Sequence, residues 1–268
     1  GVGFLVVESC GVEYPLGIQH VHYRPDGSFE GVQLHLDDDK FIPGFQRLTE
    51  AVHKYGCPVS LQLQHAGPWN PTGLLPRDPK IRDIKCASAL AQEDLPGPDF
   101  LPCRALTVRE IEDQIDLWAA AAERAWKAGF DACEINHGTC HQGNTFLSRV
   151  WNRREDEYGP QNPENRTRFL RSIIAEAKRR CGSAFAVHAL FNLVEYNHPL
   201  ATTLKEGAAM AKLIARAADG INCRAERYGH RGGLIQPDRL LYPEPPDDLP
   251  ADLDWSRRGR GATVPLVE

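Results

Sequence analysis

TVREIEDQIDLWAAAAERAWKAGFDACEIN, residues Thr107–Asn136, holds one complete helix-to-strand unit. Thr107 followed by Glu110 is a capping box, in which each side chain satisfies a backbone N–H of the other. Ile111, Ile115, Trp118, Ala122 and Ala125 then fall on one stripe at helical spacing. Gly129 ends the helix, because glycine accepts the left-handed conformation that closes a last turn. Ala132–Ile135 follows as a short apolar run, which reads as a buried strand.

The same unit repeats on both sides. Phe4–Val7, Val59–Leu63, Phe185–Leu190 and Gly220–Cys223 are further short runs, nearly continuous in apolar residues. That pattern predicts strands covered on both faces, as in a parallel sheet. Helices are predicted between them. One spans Pro43–Tyr55, with Gly56 as a stop. One opens at Asn162-Pro163 and carries Phe169, Ile173 and Ala177. One follows the capping box Thr203/Glu206. Strict alternation of strand and helix points to an α/β fold with a parallel sheet, either a closed barrel or an open doubly wound sheet. No Gly-x-Gly-x-x-Gly turn follows a strand, which argues against a dinucleotide-binding half. Two stretches rich in Pro, Gly and Asp, 66–106 and 225–261, are predicted as long loops.

Bulk properties narrow the function. The 268 residues are 42% hydrophobic and 25% charged, an ordinary globular composition. A net charge of −5 gives no footprint for nucleic acid or an anionic membrane, and no apolar run is long enough to span a bilayer. The eight cysteines are scattered without a Cys-x-x-Cys pair, which suits free thiols in the cytoplasm and offers no iron–sulfur cluster. The chain opens at Gly1 within an apolar run, its only methionine is Met210, and it stops at Glu268 as another apolar run begins. The expectation is a fold cut at both ends.

In a barrel, polar residues at the C-terminal ends of strands are the first candidates for chemistry. Here those ends carry Ser9 and Cys10, Gln62, the segment Asn136–His141, His188 and Asn192, and then Arg224. A Gln62 amide donates and accepts at once, which suits either a heteroaromatic ring edge or buried backbone groups. Glu134, His137 and His141 allow three readings: a metal site, a general acid, or histidines satisfied by loop backbone. The charged loop from Asn152 to Arg166 reads as ion pairs and caps that fix its geometry.

That loop also carries a resemblance. Asn152-Arg-Arg, Asp156-Glu-Tyr-Gly, Glu164-Asn-Arg and Arg168-Phe are similar to a signature of the Old Yellow Enzyme family. Leu61–Gly67 resembles the family's Gln-Leu-x-His-Ala-Gly strand end, and Arg104–Thr107, Ala128–Asp131 and Phe146–Ser148 also fit. The resemblance covers about residues 1–225. It implies a single (β/α)₈ TIM barrel that binds FMN, with the first strand and the last two strand–helix units absent. It implies hydride transfer from NADH or NADPH through FMN to an activated C=C bond of an enone, enoyl-CoA or steroid-like substrate, with a homo-oligomer among its expectations. Gln62 would contact the flavin, Ser9 and Cys10 would line its edge, and His188 stands where the family places an arginine. Asn136 and Thr139 fall on the substrate-binding pair, and His141 on the proton-donating tyrosine. The 268-residue chain alone is expected to hold FMN weakly. The alternatives are a metal-dependent barrel hydrolase or lyase using Glu134, His137 and His141, and a non-catalytic barrel relative.

Overall fold

The computed structural model describes residues 2–19, 21–23, 29–69, 83–97 and 100–228. The loop expected at 225–261 therefore lies, from residue 229 on, outside the described residues, as do residues 70–82 of the loop at 66–106. In chain order the elements are β1 Leu5–Gly11, β2 Val21–Tyr23, β3 Phe29–Val32, α1 Ile42–His53, β4 Val59–Gln64, β5 Lys85–Cys86, β6 Arg104–Ala105, α2 Val108–Lys127, β7 Ala132–His137, α3 Asn144–Leu147, α4 Pro163–Cys181, β8 Ala186–Tyr196, α5 Leu204–Ile214 and β9 Gly220–Arg227.

Five strands form one parallel sheet in the order β1-β4-β7-β8-β9. Each new strand joins the same edge, and α1, α2, α4 and α5 pack in sequence beside it. A doubly wound sheet reverses its strand order at a switch point. This sheet never reverses, so its winding is that of a barrel wall. β2 with β3 and β5 with β6 form two small separate sheets.

Local chemistry explains the helix limits. The Thr107/Glu110 and Thr203/Glu206 capping boxes both form, and Asn162 caps α4 with Pro163 at its first turn. Gly129 and Gly182 sit at φ 84° and 79° where α2 and α4 end. The helix-facing residues Leu61, Leu63, Cys133, Ile135, Val187, Ala189 and Phe191 are buried in one cluster with Trp118, Ala122, Phe169, Ile173 and Met210.

The other face corrects the expectation of strands that are apolar on both sides. Ser60, Gln62 and Gln64 of β4, Glu134 and Asn136 of β7, His188 and Asn192 of β8, and Asn222 and Arg224 of β9 alternate with the apolar residues. The helix layer takes one set, and the concave side of the wall takes the polar set.

Candidate active site

Sheet register places Gln62, Glu134 and His188 in one row across the concave face. The Gln62 Nε2 donates to Glu134 Oε1 (2.7 Å), and its Oε1 accepts from Asn136 Nδ2 (3.1 Å). Because a carboxylate only accepts, Glu134 sets which way the Gln62 amide faces. Asn222 Nδ2 donates to the other Glu134 oxygen (3.2 Å), and Asn136 Oδ1 accepts from the Gly138 N–H (3.0 Å). Gln62, Glu134 and Asn136 are all buried. Each amide atom of Gln62 keeps capacity for a further hydrogen bond.

A second chain of side chains runs along the neighbouring strand ends. Gln33 Nε2 donates to the Ser9 carbonyl (2.8 Å) and to Ser9 Oγ. Gln33 Oε1 accepts from Gln64 Nε2 (3.3 Å) and from the Gln19 N–H (2.7 Å). Gln19 Nε2 donates to Gln64 Oε1 (3.1 Å) and meets the His141 Nε2. Trp69 stacks on the His141 ring at 5.6 Å between centroids. His141 is thereby tied to the β4 strand end, two residues from Gln62 on the same face.

Around the top of β8 a third group forms. Thr139 N–H donates to Asn192 Oδ1 (3.0 Å), and Asn192 Nδ2 donates to the Thr139 carbonyl (3.3 Å) and to Glu226. Thr139 takes φ 55°, a left-handed conformation that is uncommon for a residue with a side chain and is held here by those bonds. Cys140 Sγ donates to Glu226 Oε1 (2.9 Å). Burial, and then repulsion from Glu195, push the Glu226 carboxyl up to about 8.

The structure thus brings Gln62 and Asn136 into direct contact, puts His188 in their row, and links His141 and Ser9 through Gln64, Gln33 and Gln19. The ring of Phe4 lies 5.8 Å from that of His188. Cys10 differs: its side chain packs beside Leu63 in the helix-side core, where burial pushes the thiol up, so only its backbone borders the concave face.

The metal reading of Glu134, His137 and His141 fails on geometry. His137 is fully buried on the helix side, stacked on Phe169 at 5.4 Å and edge-on to Trp118 at 5.1 Å. Among the described residues neither of its ring nitrogens has a hydrogen-bond partner, and burial pushes it down to about 3, so it is a neutral core residue. Glu134 faces the opposite side of β7. Among the described residues no group of three or more His, Cys, Asp or Glu side chains is arranged to hold a metal ion.

Gln19, Gln33 and Glu226 are site residues that sequence reasoning missed. For Glu226 the signal was available: Asn222, Arg224 and Glu226 repeat at period two at the end of a strand pattern. Gln19 and Gln33 reach the site from loops by tertiary contact alone. The charged loop is a brace: Asn152 Nδ2 donates to the Phe146 and Tyr158 carbonyls (both 2.8 Å), and Arg154 Nη1 to those of Ala87 (2.8 Å) and Leu106 (2.5 Å). Buried Arg166 donates to the Leu147 carbonyl (2.5 Å) and to Thr202 Oγ1 (2.7 Å).

Gln62 and Asn136 present amides that both donate and accept, beside Glu134 and His188 in the same row, which suits a flat ring whose edge alternates carbonyl and N–H groups. Comparison with known proteins gives the family. Residues 19–230 match the profile of the NADH:flavin oxidoreductase / NADH oxidase family. The chain is 33% identical over 245 residues to the NADH oxidase of Thermoanaerobacter brockii, covering 90% of this chain and 34% of that protein. It is 37% identical over 176 residues to the NADPH dehydrogenase of Clostridium acetobutylicum, covering 65% of this chain and 44% of that protein. It spans less than half the length of either relative. The Old Yellow Enzyme homologue of Zymomonas mobilis superposes with a TM-score of 0.65 at 21% identity, over 83% of this chain and 60% of that one.

Proposed function

The chain belongs to the NADH:flavin oxidoreductase / NADH oxidase family, the Old Yellow Enzyme group, and from that premise we propose that it binds FMN at the C-terminal ends of its parallel strands. The proposed reaction moves a hydride from NADH or NADPH to an activated C=C bond of an enone or enoyl thioester. The barrel reading belongs to the same proposal: the described strands form one unreversed wall of a (β/α)₈ barrel, within a single FMN-binding unit.

FMN, when bound, supplies the two-electron chemistry of hydride transfer. The protein supplies position and protons. Gln62, oriented by Glu134, would hold the ring edge by the hydrogen-bonding capacity left on its amide. The Ser9 and Cys10 backbone would border the ring, with His188 in the same row. Asn136 and Thr139 would hold the substrate carbonyl oxygen. His141 would hold the proton that the product carbon needs, with its ring placed by Gln19 and Trp69. The observation that carries this reading is the Gln62–Asn136 hydrogen bond, which joins the ring-edge residue to the carbonyl-binding residue on one face.

The test supplies FMN in excess and mixes the loaded chain anaerobically with NADH or NADPH. Bleaching of the flavin absorbance supports the proposal. Tight FMN binding without bleaching by either nucleotide would instead favour the non-catalytic relative.

A further inference from the structure

β5 and β6 set Cys86 opposite Ala105, two residues from Cys103. Cys103 is fixed from its other side as well, where it exchanges two backbone hydrogen bonds with Leu90 (2.9 and 3.1 Å). Both cysteines lie in one buried cluster with Ile84, Leu90, Phe100 and Trp151. There the two thiols are hydrogen-bonded to each other. Cys103 Sγ donates in turn to the Ser88 carbonyl (3.5 Å), so within the pair the Cys86 thiol is the donor.

That order makes the two sulfurs unequal. A sulfur that accepts a hydrogen bond forms its thiolate at lower cost, and the thiolate is the reactive species. The bond from Cys86 holds the Cys103 thiol below its ordinary value; burial opposes this, and the backbone at Leu90 adds to it. Burial, and then the same bond, push Cys86 up. Burial also pushes up Cys10, Cys133, Cys140, Cys181 and Cys223. Cys103 keeps 8% exposure and Cys86 has none, so a small oxidant meets Cys103 first. The segment before Cys103 reaches the candidate site: Leu101 N–H donates to the Pro68 carbonyl (2.9 Å), Phe100 bridges Trp69, and Trp69 stacks on His141.

We propose that Cys103 and Cys86 are an attacking and a resolving thiol, a modification site for small hydroperoxides that lies outside the proposed FMN site. The Cys103 thiolate attacks one peroxide oxygen and the O–O bond breaks. Cys103 becomes a sulfenic acid, and the other oxygen takes up a proton and leaves as water or an alcohol. The Cys86 sulfur then attacks the Cys103 sulfur. The S–O bond breaks, the disulfide forms, and the hydroxyl leaves with the Cys86 proton as water. The two thiols lose two electrons and the peroxide gains them. The new bond closes a ring from Cys86 to Cys103, and so ties β5 to the segment that holds Trp69 against His141.

The experiment treats the reduced full chain with hydrogen peroxide in modest excess, without denaturant. Remaining thiols are then alkylated and the peptides mapped by mass. Two of the eight thiols are expected to disappear, into one cross-linked peptide joining Cys86 to Cys103 that dithiothreitol separates. Cys103→Ser should keep all its remaining thiols. Cys86→Ser should stop at a sulfenic acid on Cys103, captured by dimedone. The same map is expected with and without FMN, so the result is independent of the flavin reading. No loss of thiols, a cross-link through other cysteines, or a cross-link between two chains overturns the proposal. So does Cys103 oxidised to the sulfinic acid while Cys86 is alkylated. Dimedone capture at Cys86 in Cys103→Ser overturns the assigned order of attack. The map of the parent chain decides the cross-link whether or not either variant folds.

Discussion

Glu226 shows how much a single buried group sets here. Its carboxyl is enclosed between Asn192 and Cys140, and the native state holds the proton up to about pH 8, whereas the unfolded chain releases it near its ordinary value of 4.5. Between those values the native state binds more protons than the unfolded state, so stability falls as pH rises. Glu226→Gln keeps the shape and one of the two accepted hydrogen bonds, since an amide nitrogen cannot accept, and it removes the titration. Its melting temperature relative to the parent should therefore rise from about pH 5 to about pH 8, by several degrees. Parallel pH dependences of the two proteins would show that Glu226 is ionised in the fold.

Elements here are held by two kinds of bond, local and long-range, and they differ in cost. Thr107 caps α2 from an exposed position, so Thr107→Ala should cost about 1 kcal/mol in chemical denaturation. Arg166 is fully buried and ties the start of α4 to the Leu147 carbonyl and to Thr202 before α5. Arg166→Met leaves that buried carbonyl without its donor and should cost about 2–3 kcal/mol or more. Equal, small losses in both would contradict the bracing role of the charged loop. The same contrast explains what the sequence could disclose. Thr107/Glu110, Thr203/Glu206, Asn162-Pro163 and Gly129 act within one turn, so they are readable without a fold. The order of strands follows from strict alternation with helices. The polar concave face was harder to see, because β8 runs to Tyr196, beyond the Leu190 at which its apolar run ends. Asn192 and Glu195 therefore belong to a strand, not to a loop after it. Gln19 and Gln33 had no local pattern at all, since only the folded chain sets them beside Gln64 and Ser9.

At the scale of the whole molecule, the described strands leave β1 and β9 as the two edges of the sheet. Val6 on β1 is 41% exposed and Ile221 on β9 is 42% exposed, whereas every residue of β7 is buried. Edge strands keep unpaired backbone groups and open at lower free energy. Hydrogen exchange should therefore reach β9 amides well before those of β7 and β4. Equal protection across the five strands would mean that β9 is covered in the free chain.

The proposed FMN site turns on Gln62 facing a flavin edge from the concave side of the wall. The most direct measurement is the fluorescence of FMN titrated with the parent chain and with Gln62→Leu. Saturable quenching by the parent, weakened ~10-fold in the variant at unchanged helix content, is the predicted result, the loss being that of one or two hydrogen bonds. FMN that stays fully fluorescent in excess parent chain, or that binds both proteins alike, would contradict it.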